Sequence, residues 1–352
     1  SSDVCSSDLL LCFVYCVIFG SILSFQWFCF GSSDDYTSAF GNNFDGYTVI
    51  KDSQEYALSF GGELTDETLQ KIVSDYQQME ADGMGEELEK TDWQIVNSWL
   101  GTLYPELRDT SNYKTMISYV DPDKLTGFYE RRQQALDEFL EVSGQVGAEK
   151  EFLHQIERKV EKPFRYEWVE GWSTLLGSMV ADLGVVMALF LGIVLSSLFA
   201  GEWHDNTSTL VLTTRNGWGK IALAKILTGL AFTVELFALL AVSSVISQLF
   251  FMGTAGWDMP IQNIKLIAVA PMNMLQAEIY EYAFVLLGAI GFAGIVMFIS
   301  AAVKNNVLTL LLSLAVVYGP MMIAEYLPYE MQKALDLIPL VGSSTDIFRT
   351  NT

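Results

Sequence analysis

Five stretches of the chain are apolar over a length that can cross a lipid bilayer. A helix needs about 20 mostly apolar residues to span the hydrocarbon core. The stretches that meet this requirement are residues 9–30, 172–199, 221–251, 282–303 and 307–326. The sequence therefore predicts an all-α membrane protein with five visible transmembrane helices, and not a soluble enzyme.

The charge of the chain is segregated from these stretches. The formal net charge is −22 although 51% of the residues are hydrophobic, so the acidic residues must be concentrated elsewhere. Segment 31–171 carries 29 acidic against 13 basic side chains, and such a long acidic loop is a poor candidate for the cytoplasmic side. We expect a mostly helical extracytoplasmic domain, with helices at 64–79, 92–103, 121–142 and 147–160. Thr65, Asp66 and Glu67 provide an N-terminal cap for the first of them.

Basic side chains in the short loops predict the orientation in the membrane. Arg215, Lys220 and Lys225 follow the second predicted span, and Lys304 lies between the fourth and fifth. Short loops that carry Lys and Arg remain in the cytoplasm. This assigns the loop at 200–220 to the cytoplasm, and it assigns segments 31–171, 252–281 and 327–352 to the outside.

The sequence carries no signature of catalysis or of metal binding. Residues 217–220 read GWGK, but Ile221 stands where a phosphate-binding loop requires Ser or Thr. His154 and His204 are the only histidines, and they are predicted on opposite sides of the membrane. The four cysteines lie near the N-terminus without metal-ligand spacing. We expect no catalytic residue, no metal site and no ATP bound through a phosphate-binding loop.

The loop after the second span carries the most specific pattern in the chain. Without a gap, it contains Phe199, Glu202, Trp203, Leu210, Leu212, Thr213, Thr214, Arg215, Gly217, Lys220, Ala224 and Lys225. This pattern resembles that of the type-two ABC exporter permeases with a large domain between the first two spans. Residues 300–306, which read SAAVKNN, extend the resemblance. The chain departs from the family at Asn206, where Gly is common, and at Trp218, where Arg is common.

The resemblance implies a role for this loop and a set of partners. In that family the loop forms the coupling helix that docks on a separate ATPase. The resemblance therefore implies the coupling role for Glu202, Trp203, Leu210, Thr213, Arg215, Gly217 and Lys220. The implied function is the permease subunit of an ATP-binding cassette exporter, a non-enzymatic subunit that moves substrate across the cytoplasmic membrane.

The same resemblance implies where the cofactors and the other subunits belong. ATP and Mg would bind to the partner ATPase, so no cofactor is expected on this chain. The other expected partners are the lipid bilayer and a second permease half, which is either another copy of the chain or a sister permease. The acidity of the outer domain favours cationic partners, and no nucleic acid is expected.

Two acidic residues lie inside predicted spans. Asp182 is about ten residues into the second span, which at 1.5 Å per residue is roughly 15 Å deep. Glu235 lies in the third span. Because an acid at such depth is costly, each is a candidate for lining the translocation path. A structural hydrogen bond between helices is the alternative interpretation.

The two ends of the sequence differ from those of the family that it resembles. Residues 1–9 read SSDVCSSDL, which resembles a translated adapter tail more than a native N-terminus. Five spans leave segment 327–352 outside, whereas the family has six spans. We therefore expect a fragment of a chain with six transmembrane helices, lacking its true start and its last span.

Other functions are compatible with the same sequence. A membrane sensor or receptor would bind a ligand with its outer domain, but the longest predicted intracellular segment, 200–220, is too short for an output domain. An ion-coupled secondary carrier would use Asp182 and Glu235 as proton-carrying groups and would work without an ATPase. An intramembrane hydrolase would need paired catalytic groups at membrane depth, and nothing in the sequence brings these two acids together.

Overall fold

Helices make up most of the chain in the computed structural model. The described residues are 54–55, 61–84, 93–109, 115–145, 147–204, 219–324, 326–327, 331 and 340. The shorter elements are β1 (Gly62–Leu64), α1 (Asp66–Met79), α2 (Trp93–Leu103), α3 (Phe128–Val142), α4 (Ala148–Glu157), β2 (Phe164–Tyr166) and α5 (Glu170–Thr174). The longer helices are α6 (Val180–His204), α7 (Lys220–Met252), α8 (Met274–Val303) and α9 (Asn306–Ala324).

Among the described residues, three helices are long and apolar enough to cross a membrane, as expected of a membrane protein. Their apolar stretches are Asp182–Glu202 in α6, Lys220–Phe250 in α7 and Met274–Val303 in α8. They correspond to the second, third and fourth predicted spans. The fifth predicted span corresponds to a shorter apolar stretch, Asn306–Pro320 in α9. The first predicted span, at 9–30, lies outside the described residues.

The chain divides into two compact units. Of the described residues, the long-helix unit contains 175–204, 219–246 and 278–324. The small-helix unit contains described residues between 54 and 174, and 247–277. The connection between α7 and α8, predicted as a separate outer loop at 252–281, is therefore largely part of the same unit as the acidic domain.

The core of the small-helix unit is built from the apolar faces of short helices. Thr65 caps α1 as predicted, because its side-chain oxygen accepts a hydrogen bond from Thr68 N. The face of α1 that carries Leu69 and Tyr76 is fully buried. The four predicted helices are present as α1 to α4, although α3 begins at Phe128 and not near Asp121.

This unit also contains a small sheet that the sequence did not predict. Strand β1 pairs with β2 in an antiparallel arrangement, with Leu64 opposite Phe164. Each strand has only three residues, which is too short for an alternating pattern to be recognised. The unit is therefore mostly helical but not entirely so.

Arg132 of α3 binds the connection between α7 and α8 into this unit. Its side chain is fully buried. The guanidinium donates to the main-chain oxygens of Leu266 at 2.7 Å and Ala268 at 3.1 Å, and to Glu157 Oε1 at 2.6 Å. Lys162 approaches the same Glu157 oxygen at 2.8 Å. A buried charge is tolerated only when it is paired and hydrogen-bonded, and this arrangement meets that requirement.

Two tryptophans and a glycine add further contacts along the same connection. Trp99 Nε1 donates to Asn263 O at 3.0 Å, and Trp168 Nε1 donates to Met252 O at 3.1 Å. Gly256 has a φ of 81°, and a Cβ added there would lie 2.4 Å from Trp168 O. Only glycine fits this position, because both the backbone conformation and the close approach exclude a side chain.

Helix α8 begins at Met274, earlier than the span predicted from Tyr282. Asn273 Oδ1 accepts from Gln276 N at 2.9 Å, and Gln276 Oε1 accepts from Asn273 N at 3.2 Å. This reciprocal pair is a capping box, which fixes the helix start in front of the apolar run. The predicted span started later because Glu278 and Glu281 interrupt the apolar residues.

The long-helix unit is held together by small residues and buried hydroxyl groups. Helix α9 packs on α6, where Gly192 allows Leu310 and Leu314 to approach. Tyr318 of α9 donates to Val185 O of α6 at 3.2 Å. A close approach at small residues is typical of helix packing in membranes.

Replacing Arg132 by Met should strongly destabilise the small-helix unit. The change removes the donor to Leu266 O and one of the two donors to Ala268 O, which keeps the bond from Gln262 Nε2. Breaking a buried ion pair on one side costs about 3–5 kcal/mol. Lys124→Met is the matched control, because Lys124 forms only an exposed pair with Asp121 at 3.9 Å. Thermal unfolding followed by tryptophan fluorescence should show a large decrease in midpoint for Arg132→Met alone. Equal midpoints for the two variants would contradict the role given to Arg132.

Acidification should weaken the same unit through Glu157. Burial alone would raise the pKa of Glu157, but hydrogen bonds from Lys162 and Arg132 outweigh it and lower the pKa below the ordinary value of 4.5. Stability from this group is therefore present above that value and is lost as the pH falls through the lowered, folded-state pKa. The unfolding midpoint of the wild type should fall in this acidic range more steeply than that of Glu157→Gln.

The comparison between these two proteins also controls for other titrating groups. Burial raises the pKa of Glu170. Its effect on the pH dependence of stability is therefore opposite to that of Glu157. Its contribution is common to both proteins and cancels in the difference. Identical pH profiles for the wild type and Glu157→Gln would exclude Glu157 as the source.

Candidate functional site

The predicted coupling loop is described only at its two ends. Glu202 lies in the last turn of α6, where the helical backbone continues through Trp203 to His204. Lys220 is the first residue of α7, and its side chain is exposed. The remaining predicted coupling residues lie outside the described parts of the chain, namely Leu210, Thr213, Arg215 and Gly217.

An ion pair joins the end of α6 to the beginning of α7. Lys225 Nζ lies 2.6 Å from Glu202 Oε1, and the two side chains are 19% and 26% exposed. Lys225 Nζ also donates to Leu198 O at 2.5 Å and lies 5.0 Å from the centre of the Phe199 ring. A cation is favoured near the C-terminal end of a helix, where the helix dipole is negative. Lys225 therefore brings together the two helix ends that flank the loop.

Ser300 of α8 contacts α6 close to this ion pair. Its hydroxyl donates to Ser196 O at 2.7 Å and accepts from Ala200 N at 3.0 Å and Phe199 N at 3.1 Å. Ser196 O and Ala200 N are four residues apart, so a regular α-helix would bond them to each other. The hydroxyl of Ser300 thus bridges two groups of the α6 backbone.

We call Glu202, Lys225 and Ser300, with the α6 backbone that they contact, the junction. It gathers the C-terminal end of α6, the N-terminal end of α7 and the C-terminal half of α8 within the long-helix unit. Both Lys225 and Ser300 belong to segments that matched the permease pattern in the sequence. Their contacts with α6 were not predicted, because sequence separations of 27 and 104 residues carry no contact signal. Three helices are therefore in contact at the junction.

The two predicted path acids are both on the surface of the chain. Asp182 is the first residue of the apolar stretch Asp182–Glu202. Its depth near the membrane centre was predicted from a span that begins at residue 172, and this depth stays a prediction. Glu235 lies about midway along α7, and both side chains are exposed. The two acids are on different helices, and neither has a hydrogen bond or ion pair with another described residue.

Two further acids in α8 are almost completely buried. Glu278 and Glu281 are 3% and 2% exposed, and they lie one turn apart on the same helix. Tyr282, which lies one turn further along α8, interacts with Glu278 through its hydroxyl. The predicted fourth span began at Tyr282, after these two acids, since an acid before an apolar run usually faces water. The spacing of three residues between Glu278 and Glu281 indicates that both lie on the same face of the helix.

The described residues offer no metal site. Within 61–84, 93–109, 115–145, 147–204 and 219–324, no three His, Cys, Asp or Glu side chains come close enough to hold an ion. Known proteins add no assignment, since no protein-family model, curated protein or solved structure matches the chain. The junction therefore has to be interpreted from its own geometry.

Replacing Ser300 by Ala should loosen the junction. The variant removes one donor and one acceptor from a fully buried position, where an unsatisfied polar group costs about 1–3 kcal/mol. Ser197→Ala is the control, because the Ser197 hydroxyl is exposed and donates only within its own helix, to Val194 O. In detergent or nanodiscs, Ser300→Ala should melt at a clearly lower temperature than the wild type, and Ser197→Ala should not. A normal midpoint for Ser300→Ala would contradict the stabilising role given to this hydroxyl.

Proposed function

We propose that the chain is the permease subunit of an ATP-binding cassette exporter, which moves substrate across the cytoplasmic membrane. ATP would be hydrolysed by a separate ATPase subunit that docks on the loop between α6 and α7. The observation that carries the proposal is the ion pair between Glu202 and Lys225, which lies at the two ends of that loop. Both residues belong to the sequence pattern that resembles the type-two exporter permeases.

The connectivity of the chain supports a cytoplasmic location for this loop. Segments 61–174 and 247–277 belong to one compact unit, so they lie on the same side of a membrane. Helices α6 and α7 leave that unit and return to it, and with one crossing each they put their connection on the opposite side. The connection between α8 and α9 falls on that side as well. Because the two connections contain Arg215, Lys220 and Lys304, the positive-inside rule assigns them to the cytoplasm.

The junction provides a mechanical route from the loop to the membrane helices. A force applied to the loop by a closing ATPase would act on α6 and α7 through Glu202 and Lys225. Ser300 extends the connection to α8 through the backbone of α6. A transport cycle requires helices that move between two arrangements, and the contacts of Ser300 would couple α8 to such a movement of α6.

The exposed acids support the expectation of a second permease half. Asp182 and Glu235 lie on apolar helices, and a charged side chain facing lipid is costly. A neighbouring subunit would cover such residues or would complete a water-filled path that contains them. A second copy of the chain and a sister permease both satisfy this requirement, and the transported substrate stays open.

Co-purification with an ATPase tests this proposal. The complete protein would be extracted in detergent together with the products of neighbouring genes, and any ATPase recovered with it would be quantified. Glu202→Ala and Lys225→Met should each reduce recovery by several-fold, because either change breaks the ion pair that positions the loop. The charge-reversed pair Glu202→Lys with Lys225→Glu should restore recovery in part. Arg215→Ala should reduce recovery as well, and the reversed pair should not compensate for it.

The control is Arg158→Ala, which removes an exposed basic residue of the small-helix unit and should leave recovery unchanged. Failure of the intact protein to recover any ATPase, together with transport driven by an ion gradient in vesicles, would contradict the exporter proposal. That outcome would favour an ion-coupled carrier. Loss of recovery in Glu202→Ala but not in Lys225→Met would instead mean that Glu202 contacts the ATPase directly.

A further inference from the structure

Helix α7 exposes an acidic side chain near the middle of its length. Glu235 lies about midway along the apolar stretch Lys220–Phe250, and it forms no hydrogen bond or ion pair with another described residue. The helix is also poorly covered by the rest of the chain, since 33% of its apolar window is buried against 56% in α6 and 39% in α8. An acid that faces lipid at this depth is costly, so a partner that covers it is expected.

Short side chains line the same side of α7 before and after Glu235. With Glu235 they recur at alternating intervals of four and three residues, which keeps them on one side of a helix. They are all exposed, namely Ala224, Thr228, Ala231, Ala238 and Val242. We call these five residues and Glu235 the α7 face. At 1.5 Å per residue the α7 face is about 27 Å long, which is close to the thickness of the hydrocarbon core.

The α7 face has the properties of a surface that packs on another helix within the membrane. Short side chains allow two helix backbones to approach closely, and a polar side chain among them can form a hydrogen bond across the contact. The described long helices carry Lys only at positions 220, 225 and 304, which are all near helix ends. These helices therefore offer no cation at the depth of Glu235, and its partner there has to be a hydrogen-bonding group.

The α7 face is complementary to a second copy of itself. Two copies of the chain in one membrane have the same orientation, so their α7 helices run parallel and a two-fold axis brings each residue of the face to its own counterpart. A neutral carboxyl group both donates and accepts a hydrogen bond. The hydroxyl of each Glu235 can therefore donate to the carbonyl oxygen of the other. The alternating spacing of four and three residues is that of a left-handed helix pair, in which such counterparts meet.

We infer that the α7 face is the contact between two copies of this chain. The two Glu235 carboxyl groups bond to each other at its centre, and the short side chains on either side allow the helices to pack closely. The inference rests on the proposed function in one respect, since it identifies the second permease half as another copy of the chain. The contact itself requires no ATPase, because it involves neither the coupling loop nor the junction.

Disulfide crosslinking of the full-length protein tests the position of this contact. The four cysteines of the chain would be replaced by serine, and a single cysteine would be introduced by Thr228→Cys or Ala231→Cys. A disulfide requires two Cα atoms within about 7 Å, which a close pair of helices provides. Ile226→Cys is the matched control, because Ile226 is 39% exposed but points away from Thr228, two residues further on. Oxidation in native membranes should convert both face variants to covalent dimers and leave the control monomeric.

Substitutions of Glu235 test the hydrogen bond at the centre of the contact. Dissociation would be measured by energy transfer between two fluorescently labelled populations of the protein that are diluted with lipid in vesicles. Glu235→Ala should raise the dissociation constant about three- to thirtyfold, the range expected for one hydrogen bond between membrane helices. Glu235→Gln should keep the wild-type affinity, because the amide group also both donates and accepts.

The inference is overturned if the face variants form no covalent dimers, if Ile226→Cys forms them equally, or if Glu235→Gln weakens the dimer as much as Glu235→Ala. A crosslink from position 231 to Cys12 or Cys16, in a series that retains these two cysteines, would overturn it by assigning the face to the predicted first span. A crosslink to a different membrane protein would overturn it in favour of a sister subunit. Recovery of an ATPase without these dimers would contradict this inference alone, whereas dimers without an ATPase would contradict only the exporter proposal.

Discussion

The guanidinium of Arg132 determines which parts of this chain belong together. It holds the main chain at Leu266 and Ala268 against helix α3, and Glu157 and Lys162 complete the charge balance around it. These contacts connect residues 134 and 136 positions apart in the sequence. The connection between α7 and α8 is thereby part of the same compact unit as the acidic domain, and Trp99 and Trp168 add further contacts to it. The proposed location of the coupling loop on the opposite side of the membrane rests on this unit and on the proposed crossing of α6 and α7.

Local features of the fold could be predicted from the sequence, whereas long-range features could not. The cap at Thr65 and the helical period of α1 are encoded within one turn, so both were found. The apolar stretches of α6, α7 and α8 were found because length and composition are sufficient for that purpose. The start of α8 was predicted too late, although Asn273 and Gln276 have the spacing of a capping box that was overlooked.

The candidate site shows the same difference between local features, which were predicted, and long-range contacts, which were not. Glu202 was selected from the sequence as a coupling residue, but its partner Lys225 was considered only as a mark of orientation and a member of the permease-like pattern, and Ser300 only as part of a motif. A side chain that bonds to a main-chain oxygen, as Ser300 does, leaves no pattern in the composition. The buried position of Glu278 also depends on tertiary packing. The coupling residues Leu210, Thr213, Arg215 and Gly217 still rest on the sequence alone.

The most direct test of the account is the membrane orientation of single cysteines. The four cysteines of the chain would first be replaced by serine, and one cysteine would then be introduced at Phe152, Asp258, Lys220 or Lys304, which are all exposed. A membrane-impermeant maleimide should label positions 152 and 258 in intact cells, and it should label 220 and 304 only after permeabilisation. Labelling of 152 and 258 on opposite sides, or of 220 from the outside, would contradict the account.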